Sequence, residues 1–160
     1  MSERSRSIYA LFAAVGICLV VGIAASVVTA SSIKDWYPLL EKPSWTPPNW
    51  LFGPVWSALY VMMGVAAWLV WRDSTGTVQR RVLLIFASQL ILNCIWSFLF
   101  FGLRSPGWAV LEIVLLWSMI VVTMFSFAKI NRLAAGLLVP YVVWVSFAAA
   151  LNFAVWNLNR

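Results

Sequence analysis

Histidine is absent from this 160-residue chain, which also has only five acidic residues and two cysteines. Without an imidazole the protein cannot hold a haem iron through histidine, and no group of Cys, Asp and Glu residues has the spacing of a metal site. A hydrolase or metalloenzyme is therefore excluded, and no resident cofactor is expected. The scarcity of ionisable residues also argues against an ion channel or proton pump, because no chain of such residues crosses the apolar segments.

Apolar residues make up 63% of the chain and charged residues 10%. They form five runs, each long enough for a helix that crosses a bilayer, which needs roughly 20 residues. The runs cover residues 8–30, 50–71, 82–101, 108–128 and 135–157. No linker or repeat separates two cores, so the sequence predicts an all-α membrane protein with a single five-helix transmembrane domain over residues 1–160.

The basic residues predict the orientation of this bundle in the membrane. One face would carry Arg4, Arg6, Arg72, Arg80, Arg81, Lys129 and Arg132. The other face would carry Lys34, Lys42, Arg104 and Arg160. Because positive residues concentrate on the cytoplasmic side, we expect a cytoplasmic N-terminus and a bacterial-type cytoplasmic membrane. Neither face has the dense basic stripe of a nucleic-acid binder.

The connection over residues 31–49 is longer than an antiparallel helix pair requires. We expect Asp35 to cap a short helical turn, and Thr46 and Pro47 to be the cap and first residue of the second helix. The segment is also rich in proline and in the aromatic residues Trp36, Tyr37 and Trp45. It forms either a structured lid over a cavity or an aromatic belt at the membrane interface, and spacing alone favours the belt.

Eleven tryptophans exceed what two interfacial belts need. Four lie near the predicted ends of spans and are expected in the belts: Trp68, Trp71, Trp108 and Trp156. Four others lie deeper and either fill the core or line an apolar pocket: Trp56, Trp96, Trp117 and Trp144. Core filling is the default interpretation.

Polar residues inside the spans are few, and each has two interpretations. Gln89, Asn93 and Ser97 recur every four residues on one face of the third helix, and Asn152 lies in the fifth. Such residues either join helices by hydrogen bonds, which is the commoner case, or orient a ligand. Glu112 either has a chemical role or forms an interfacial ion pair with Arg104 or a snorkelling arrangement, and the second interpretation is preferred.

Two further patterns concern helix packing. Pro140 cannot donate a hydrogen bond to the carbonyl of Gly136, so a kink that could make room for a cavity is expected in the fifth span. In the first span, small residues recur every fourth position and allow a second helix to approach closely. They are Ala14, Cys18, Gly22, Ser26 and Ala30.

Four segments together carry a family resemblance: WYPLLEKPSWTPP, FGPVWSALYVMMGVAAWLVW, QLILNCIWSFLFFG and LLVPYVVWVSFAAALNFAVWNLN. In this order they resemble the TspO/MBR family, the tryptophan-rich sensory proteins and translocator proteins formerly called peripheral benzodiazepine receptors. The resemblance runs over roughly residues 33–159 and includes all five spans. It implies a five-helix membrane protein, often a homodimer, that binds porphyrins such as protoporphyrin IX or haem for sensing, transport or regulation.

The resemblance also implies site residues and a rival function. The implied ligand-binding residues are Trp36, Tyr37, Trp45, Trp56, Gln89, Asn93, Trp96, Trp144, Ala148 and Asn152. Light- and oxygen-dependent porphyrin degradation by some bacterial relatives implies Trp56 and Trp144 as catalytic residues of an enzyme. The third interpretation is a structural scaffold, in which the tryptophans only pack and no ligand binds.

Cholesterol or another lipid is a weaker expectation for the ligand. The sterol motif of the family requires Leu or Val, then Tyr, then Lys or Arg, with at most five residues between consecutive positions. In this chain Leu151 is followed by Phe153, and the next basic residue is Arg160. The motif is broken, so the resemblance favours a porphyrin over a sterol.

Overall fold

The computed structural model describes residues 2–160, which form helices and connecting loops and contain no β-strand. The helices are α1 (Glu3–Asp35), α2 (Phe52–Asp73), α3 (Gly76–Ser97), α4 (Pro106–Ala128), α5 (Arg132–Leu137) and α6 (Val139–Leu158). Together they provide five segments long and apolar enough to cross a membrane, with α5 and α6 sharing the fifth. The predicted all-α fold with five spans is confirmed.

α1 is longer at both ends than the predicted span of residues 8–30. At its start, the Ser2 hydroxyl accepts a hydrogen bond from the Ser5 backbone N–H at 3.2 Å. At its end, the Ser32 hydroxyl donates to the Phe101 carbonyl at 2.6 Å, which fixes the last turn against the third span. Asp35 is the last residue of α1, and Trp36 caps the 3₁₀ turn that follows, so the predicted role of Asp35 as that cap is wrong.

The second span begins later than the sequence predicts. A 3₁₀ turn over Asn49–Leu51 precedes α2, which starts at Phe52. The Thr46 hydroxyl and backbone N–H both donate to the Pro43 carbonyl and close a turn inside the loop. Thr46 and Pro47 therefore do not start the helix, because this local turn satisfies the threonine instead.

The fifth span is broken where proline predicts it. α5 ends at Leu137 and α6 begins at Val139, with Leu138 as the joint. Pro140 has no N–H to offer to the carbonyl one turn earlier, so the helical ladder cannot run through this point. The expected interruption is confirmed.

The spans form a closed ring. α1 packs against α2 and α3, α3 packs against α4, and α4 packs against both α5 and α6. The ring closes where α2 packs against α5, whereas α2 and α6 meet through side chains such as Phe52 and Trp144. At the end of the bundle away from α5, the backbones of α2 and α6 therefore diverge and leave a space beneath the loop of residues 36–48.

The small residues of α1 explain its close approach to α2. A Cβ atom at Gly22 would come within 2.6 Å of ring carbons of Tyr60, and Cys18 one turn earlier is buried. From the other side, a Cβ atom at Gly64 would lie 2.6 Å from the Cα of Val15. The helix that approaches the small-residue stripe is thus α2 of the same chain.

Candidate functional site

A cavity of about 510 Å³ occupies the space where α2 and α6 diverge. Its walls come from α1, α2, α6, the end of the third span and the start of the loop over residues 36–48, which we call the lid loop. This volume lies within the 300–1,000 Å³ range of small-molecule sites. None of the lining residues, all in the part of the chain that the structure describes, is charged.

Besides Trp50 in the 3₁₀ turn before α2, three indoles from three different helices line the cavity: Trp56 of α2, Trp96 of α3 and Trp144 of α6. Each is fixed by another aromatic ring or a hydrogen bond. Trp56 packs on Tyr60 with ring centroids 5.8 Å apart, and Trp144 packs on Phe52 at 5.7 Å. The Trp96 N–H donates to the Asn152 side-chain oxygen at 3.0 Å. The cavity therefore presents rigid aromatic faces, which suit a flat, apolar ligand.

A π-helical turn over Phe98–Gly102 ends the third span and joins the cavity to the lid loop. Phe100 stacks on Trp96 with centroids 5.5 Å apart and meets Trp36 edge to face at 5.7 Å. Phe101 lines the cavity and packs on Tyr37 at 5.9 Å. A π-turn adds a residue to the helix, and here it directs two consecutive phenylalanines toward the lid loop.

Hydrogen bonds within the lid loop give it a fixed shape. The Lys42 ammonium donates to the carbonyls of Tyr37 and Leu40, at 2.8 Å each, and lies 4.9 Å from the centroid of the Tyr37 ring. Burial of Tyr37 raises the pKa of its phenol above the usual value, so the group stays neutral at physiological pH. The lid interpretation of this segment is supported, because Tyr37 is a cavity wall and only 6% exposed.

A second set of bonds fastens the lid loop to the end of α6. The side-chain oxygen of Asn159 accepts from the Glu41 N–H at 3.0 Å, and its amide nitrogen donates to the Glu41 carbonyl at 2.9 Å. Trp45 packs on Phe147, which in turn packs on Trp144. The lid loop is therefore in contact with a cavity wall as well as with the bundle end.

Five of the ten residues that the resemblance implies as ligand-binding line the cavity: Tyr37, Trp56, Trp96, Trp144 and Ala148. The other five lie outside its lining: Trp36, Trp45, Gln89, Asn93 and Asn152. Four of them support lining residues directly or through one phenylalanine, whereas Gln89 bonds to Met63, which lies outside the lining. The side chains of Trp36 and Trp45 pack on phenylalanines, and Asn152 positions Trp96 while donating to the Pro106 carbonyl at 3.0 Å.

The polar stripe of α3 joins helices over most of its length. Asn93 accepts from the Tyr60 hydroxyl and donates to the Tyr141 hydroxyl at 3.1 Å, so it connects α2, α3 and α6. Gln89 is 1% exposed and donates to the Met63 sulfur at 3.8 Å. Only Ser97, at the lid end of the stripe, lines the cavity.

The predicted ion pair of Glu112 with Arg104 is wrong. Glu112 is 8% exposed, and neither of its carboxylate oxygens has a hydrogen-bond partner within residues 2–160. It shares a buried stripe of α4 with Ala109, Ile113 and Leu116, whereas Arg104 is exposed in the loop before the helix. The helix period therefore turns the carboxyl group inward, away from the arginine.

Apart from Trp50, which lines the cavity, the remaining tryptophans lie away from it. The Trp117 N–H donates to the Ser146 hydroxyl at 2.8 Å, which itself bonds back to Val142. Trp108 is exposed. Three others lie near arginine guanidinium groups, as is typical of span ends at a membrane interface. The pairs are Trp68 with Arg72, Trp71 with Arg6 and Trp156 with Arg160.

Sequence reasoning missed the α1 wall and Phe101. Gly22, Ser26 and Ala30 line the cavity, as do Ile23, Thr29 and Ile33. The repeat of small residues on α1 predicts a helix-packing surface. Between Gly22 and the end of α1 at Asp35, however, no partner helix of the described chain covers these residues, so they form a cavity wall instead. The π-turn that presents Phe101 leaves no recognisable signal in the sequence.

Comparison with known proteins assigns this architecture to a family. The sequence pattern of the TspO/MBR family matches residues 14–157. The chain is 46% identical over 158 residues to the tryptophan-rich protein TspO of Chlorobaculum tepidum, covering 97% of this chain and 99% of the relative. It is 41% identical over 127 residues to the translocator protein of Homo sapiens, covering 78% of this chain and 75% of the relative. A relative from Cereibacter sphaeroides, 36% identical over 125 residues, is called a tryptophan-rich sensory protein.

Proposed function

This chain belongs to the TspO/MBR family, and we propose that it is a membrane receptor or transporter that binds a porphyrin in the cavity beneath the lid loop. The names of its relatives, sensory protein and translocator protein, describe signalling or movement of a ligand. Protoporphyrin IX is the ligand we would test first, and haem is the second.

The observation that carries the proposal is the chemistry of the cavity wall. Trp56, Trp96 and Trp144 offer aromatic faces from three directions, and no lining residue in the described chain has a charge. A planar macrocycle gains both apolar burial and ring stacking in such a site. A sterol would gain only the burial, and the sterol motif is broken, so the proposal favours a porphyrin.

Porphyrin carboxylates need a cationic partner near the cavity mouth, and the two lysines of this region differ in their hydrogen bonds. The Lys42 ammonium is already engaged with lid-loop carbonyls. Lys34 lies in the last turn of α1, beside the lining residue Ile33, and its ammonium makes no hydrogen bond to any residue from 2 to 160. We therefore propose Lys34 as the partner of a ligand carboxylate.

Tryptophan-fluorescence quenching tests the proposal. Purified protein in detergent is titrated with protoporphyrin IX in the dark, beside the variant Trp56→Leu/Trp144→Leu. Leucine keeps the site apolar but removes the stacking faces, so the dissociation constant should rise about tenfold. The control Trp108→Leu/Trp117→Leu removes two exposed indoles outside the cavity and should bind like the parent. Linear, non-saturating quenching that is equal in all three proteins would refute porphyrin binding at this site.

Illumination of the same samples in air tests the enzymatic alternative. Catalytic roles for Trp56 and Trp144 predict a new absorbing product with the parent protein and none with Trp56→Leu/Trp144→Leu. Saturable binding without product formation would leave sensing or transport as the function. The homodimer stays a prediction, which light scattering of the detergent-purified protein measures directly.

A further inference from the structure

One wall of the cavity is also part of the outer surface of the bundle. Ile23 of α1 is 63% exposed, and Trp50, just before α2, is 72% exposed, yet both residues line the cavity. The same holds for Ser26 and Ala30 of α1 and for Gly53 and Ser57 of α2. Exposure this high at lining residues of two neighbouring helices indicates that the cavity opens there. The opening therefore lies between α1 and α2.

The gap between these two helices has a definite lower edge. Toward the other end of the bundle, α1 and α2 are in close contact at Gly22 with Tyr60 and at Val15 with Gly64. Above Gly22 the facing residues of both helices become cavity lining instead of contact surface. We call the opening the lateral portal and define it by Ile23, Ser26, Ala30, Trp50, Gly53 and Ser57.

The portal lies at the depth of the membrane. Ser26 precedes the end of α1 at Asp35 by nine residues, or about 13 Å along the axis. Ser57 lies five residues into α2, or about 7 Å. Both helices belong to spans that are apolar and long enough to cross a bilayer, so at this depth the portal faces lipid acyl chains.

By contrast, the end of the cavity that faces water is closed by the lid loop. Opening it would break the bonds of Asn159 to Glu41 and remove Tyr37 from its buried position. A net contribution of about 0.5–1.5 kcal/mol per hydrogen bond, together with the buried aromatic contacts, makes this the more costly route.

We propose that the ligand enters and leaves the cavity sideways, from the hydrocarbon of the lid-side leaflet, through the lateral portal. The inference rests on the proposed function, since the ligand considered is a porphyrin. An apolar macrocycle partitions into the bilayer before it meets the protein. The portal then admits a membrane-dissolved ligand of flat shape and excludes one confined to water, while the lid loop stays closed.

The portal can be narrowed without disturbing the fold. A Cβ atom at Gly53 meets nothing within 4 Å, and the Ser57 hydroxyl bonds only to the Gly53 carbonyl of its own helix. The variant Gly53→Leu/Ser57→Leu therefore adds two side chains at the opening. The control Gly136→Leu/Ser118→Leu makes the same two substitutions outside the cavity, at another open glycine and at a serine bonded to its own helix.

Stopped-flow quenching by protoporphyrin IX, with the protein in lipid nanodiscs, measures the effect. A narrower portal raises the barrier in both directions, so the association and dissociation rate constants should each fall about tenfold or more. The two rate constants are the readout, and they should fall together because entry and exit share one opening. The control variant should keep the rates of the parent. Unchanged rates in Gly53→Leu/Ser57→Leu would overturn the portal.

The variant Asn159→Ala tests the competing route through the lid loop. It removes the bonds to Glu41, so it should leave both rate constants unchanged if ligands use the portal. Faster association in Asn159→Ala, with no effect of the leucines, would place entry at the lid loop. Absence of saturable binding in the parent protein would instead refute the proposed function, so the two failures are distinguishable.

Discussion

Asn93 connects three helices through a single side chain. Its oxygen accepts from Tyr60 of α2 and its nitrogen donates to Tyr141 of α6, all within the buried bundle. Gln89, one turn earlier on α3, has no comparable partners, because its side-chain oxygen is buried and accepts no hydrogen bond from residues 2–160. Two similar amides on the same helix face therefore stabilise the protein to different extents.

Leucine substitutions should separate these two amides. Asn93→Leu leaves two buried phenol hydroxyls without a partner and should lower the free energy of unfolding by about 1–3 kcal/mol per group. Gln89→Leu removes an unsatisfied oxygen and should be neutral or stabilising. Thermal unfolding in detergent, followed by circular dichroism, measures both variants. Equal destabilisation by the two substitutions would contradict the prediction.

The sequence predicts the polar stripe but not its partners. A spacing of four residues shows that Gln89, Asn93 and Ser97 share a helix face. Which neighbouring side chain each one meets depends on the rotation and depth of two other helices. For the same reason the exposed Arg104 was expected beside Glu112, although the helix period turns that carboxyl inward.

At the scale of elements, the contact of α1 with α2 depends on two glycines that face it from opposite sides. Gly64 tolerates a side chain less well than Gly22, because a Cβ atom at Gly64 would lie 2.6 Å from the backbone of Val15. A backbone cannot rotate away as a flexible side chain can, so the two helices would have to separate.

Gly64→Ala should therefore destabilise the bundle by about 1–3 kcal/mol, in the range of overpacked cores. Gly136→Ala is the matched control, because a Cβ atom there meets nothing within 4 Å. It should instead stabilise α5 by up to about 1 kcal/mol through helix propensity. The apparent melting temperatures in detergent test both signs. A melting temperature for Gly64→Ala at or above that of the parent would disprove the close packing.

Spans and the proline break could be predicted because they depend on local composition and on a missing N–H. The exact helix ends could not be predicted, because they depend on hydrogen bonds that composition does not reveal. The last turn of α1 is bonded through Ser32 to Phe101, which lies 69 residues away in the sequence. Thr46 differs, because its hydroxyl bonds to the local carbonyl of Pro43 and closes a turn instead of capping a helix.

At the scale of the whole molecule, the orientation in the membrane is a prediction from the charge distribution. Thr75 and Leu103 lie in connections at opposite ends of the bundle and suit single-cysteine labelling. In a variant with Cys18 and Cys94 replaced by alanine, a membrane-impermeant maleimide should label Leu103→Cys in intact cells. Thr75→Cys should react only after lysis, because the side with more basic residues is cytoplasmic. The reverse pattern would invert the topology.

The cavity itself follows from packing among helices and has no local sequence signal. Its aromatic walls could be named by resemblance, since Tyr37, Trp56, Trp96 and Trp144 fall in recognisable segments. Its existence depends on α2 packing against α5 while diverging from α6. The break near Pro140 permits that divergence, yet a kink alone gives neither its direction nor the helix that moves away.

The pairing of Asn159 with Glu41 also sets an order of events during biosynthesis. The two residues are 118 positions apart, so the ribosome needs roughly 6 to 24 seconds between them at about 5–20 residues per second. During that interval the lid loop has no anchor on α6, and the cavity has no α6 wall. The cavity is therefore complete only after α6 has been inserted.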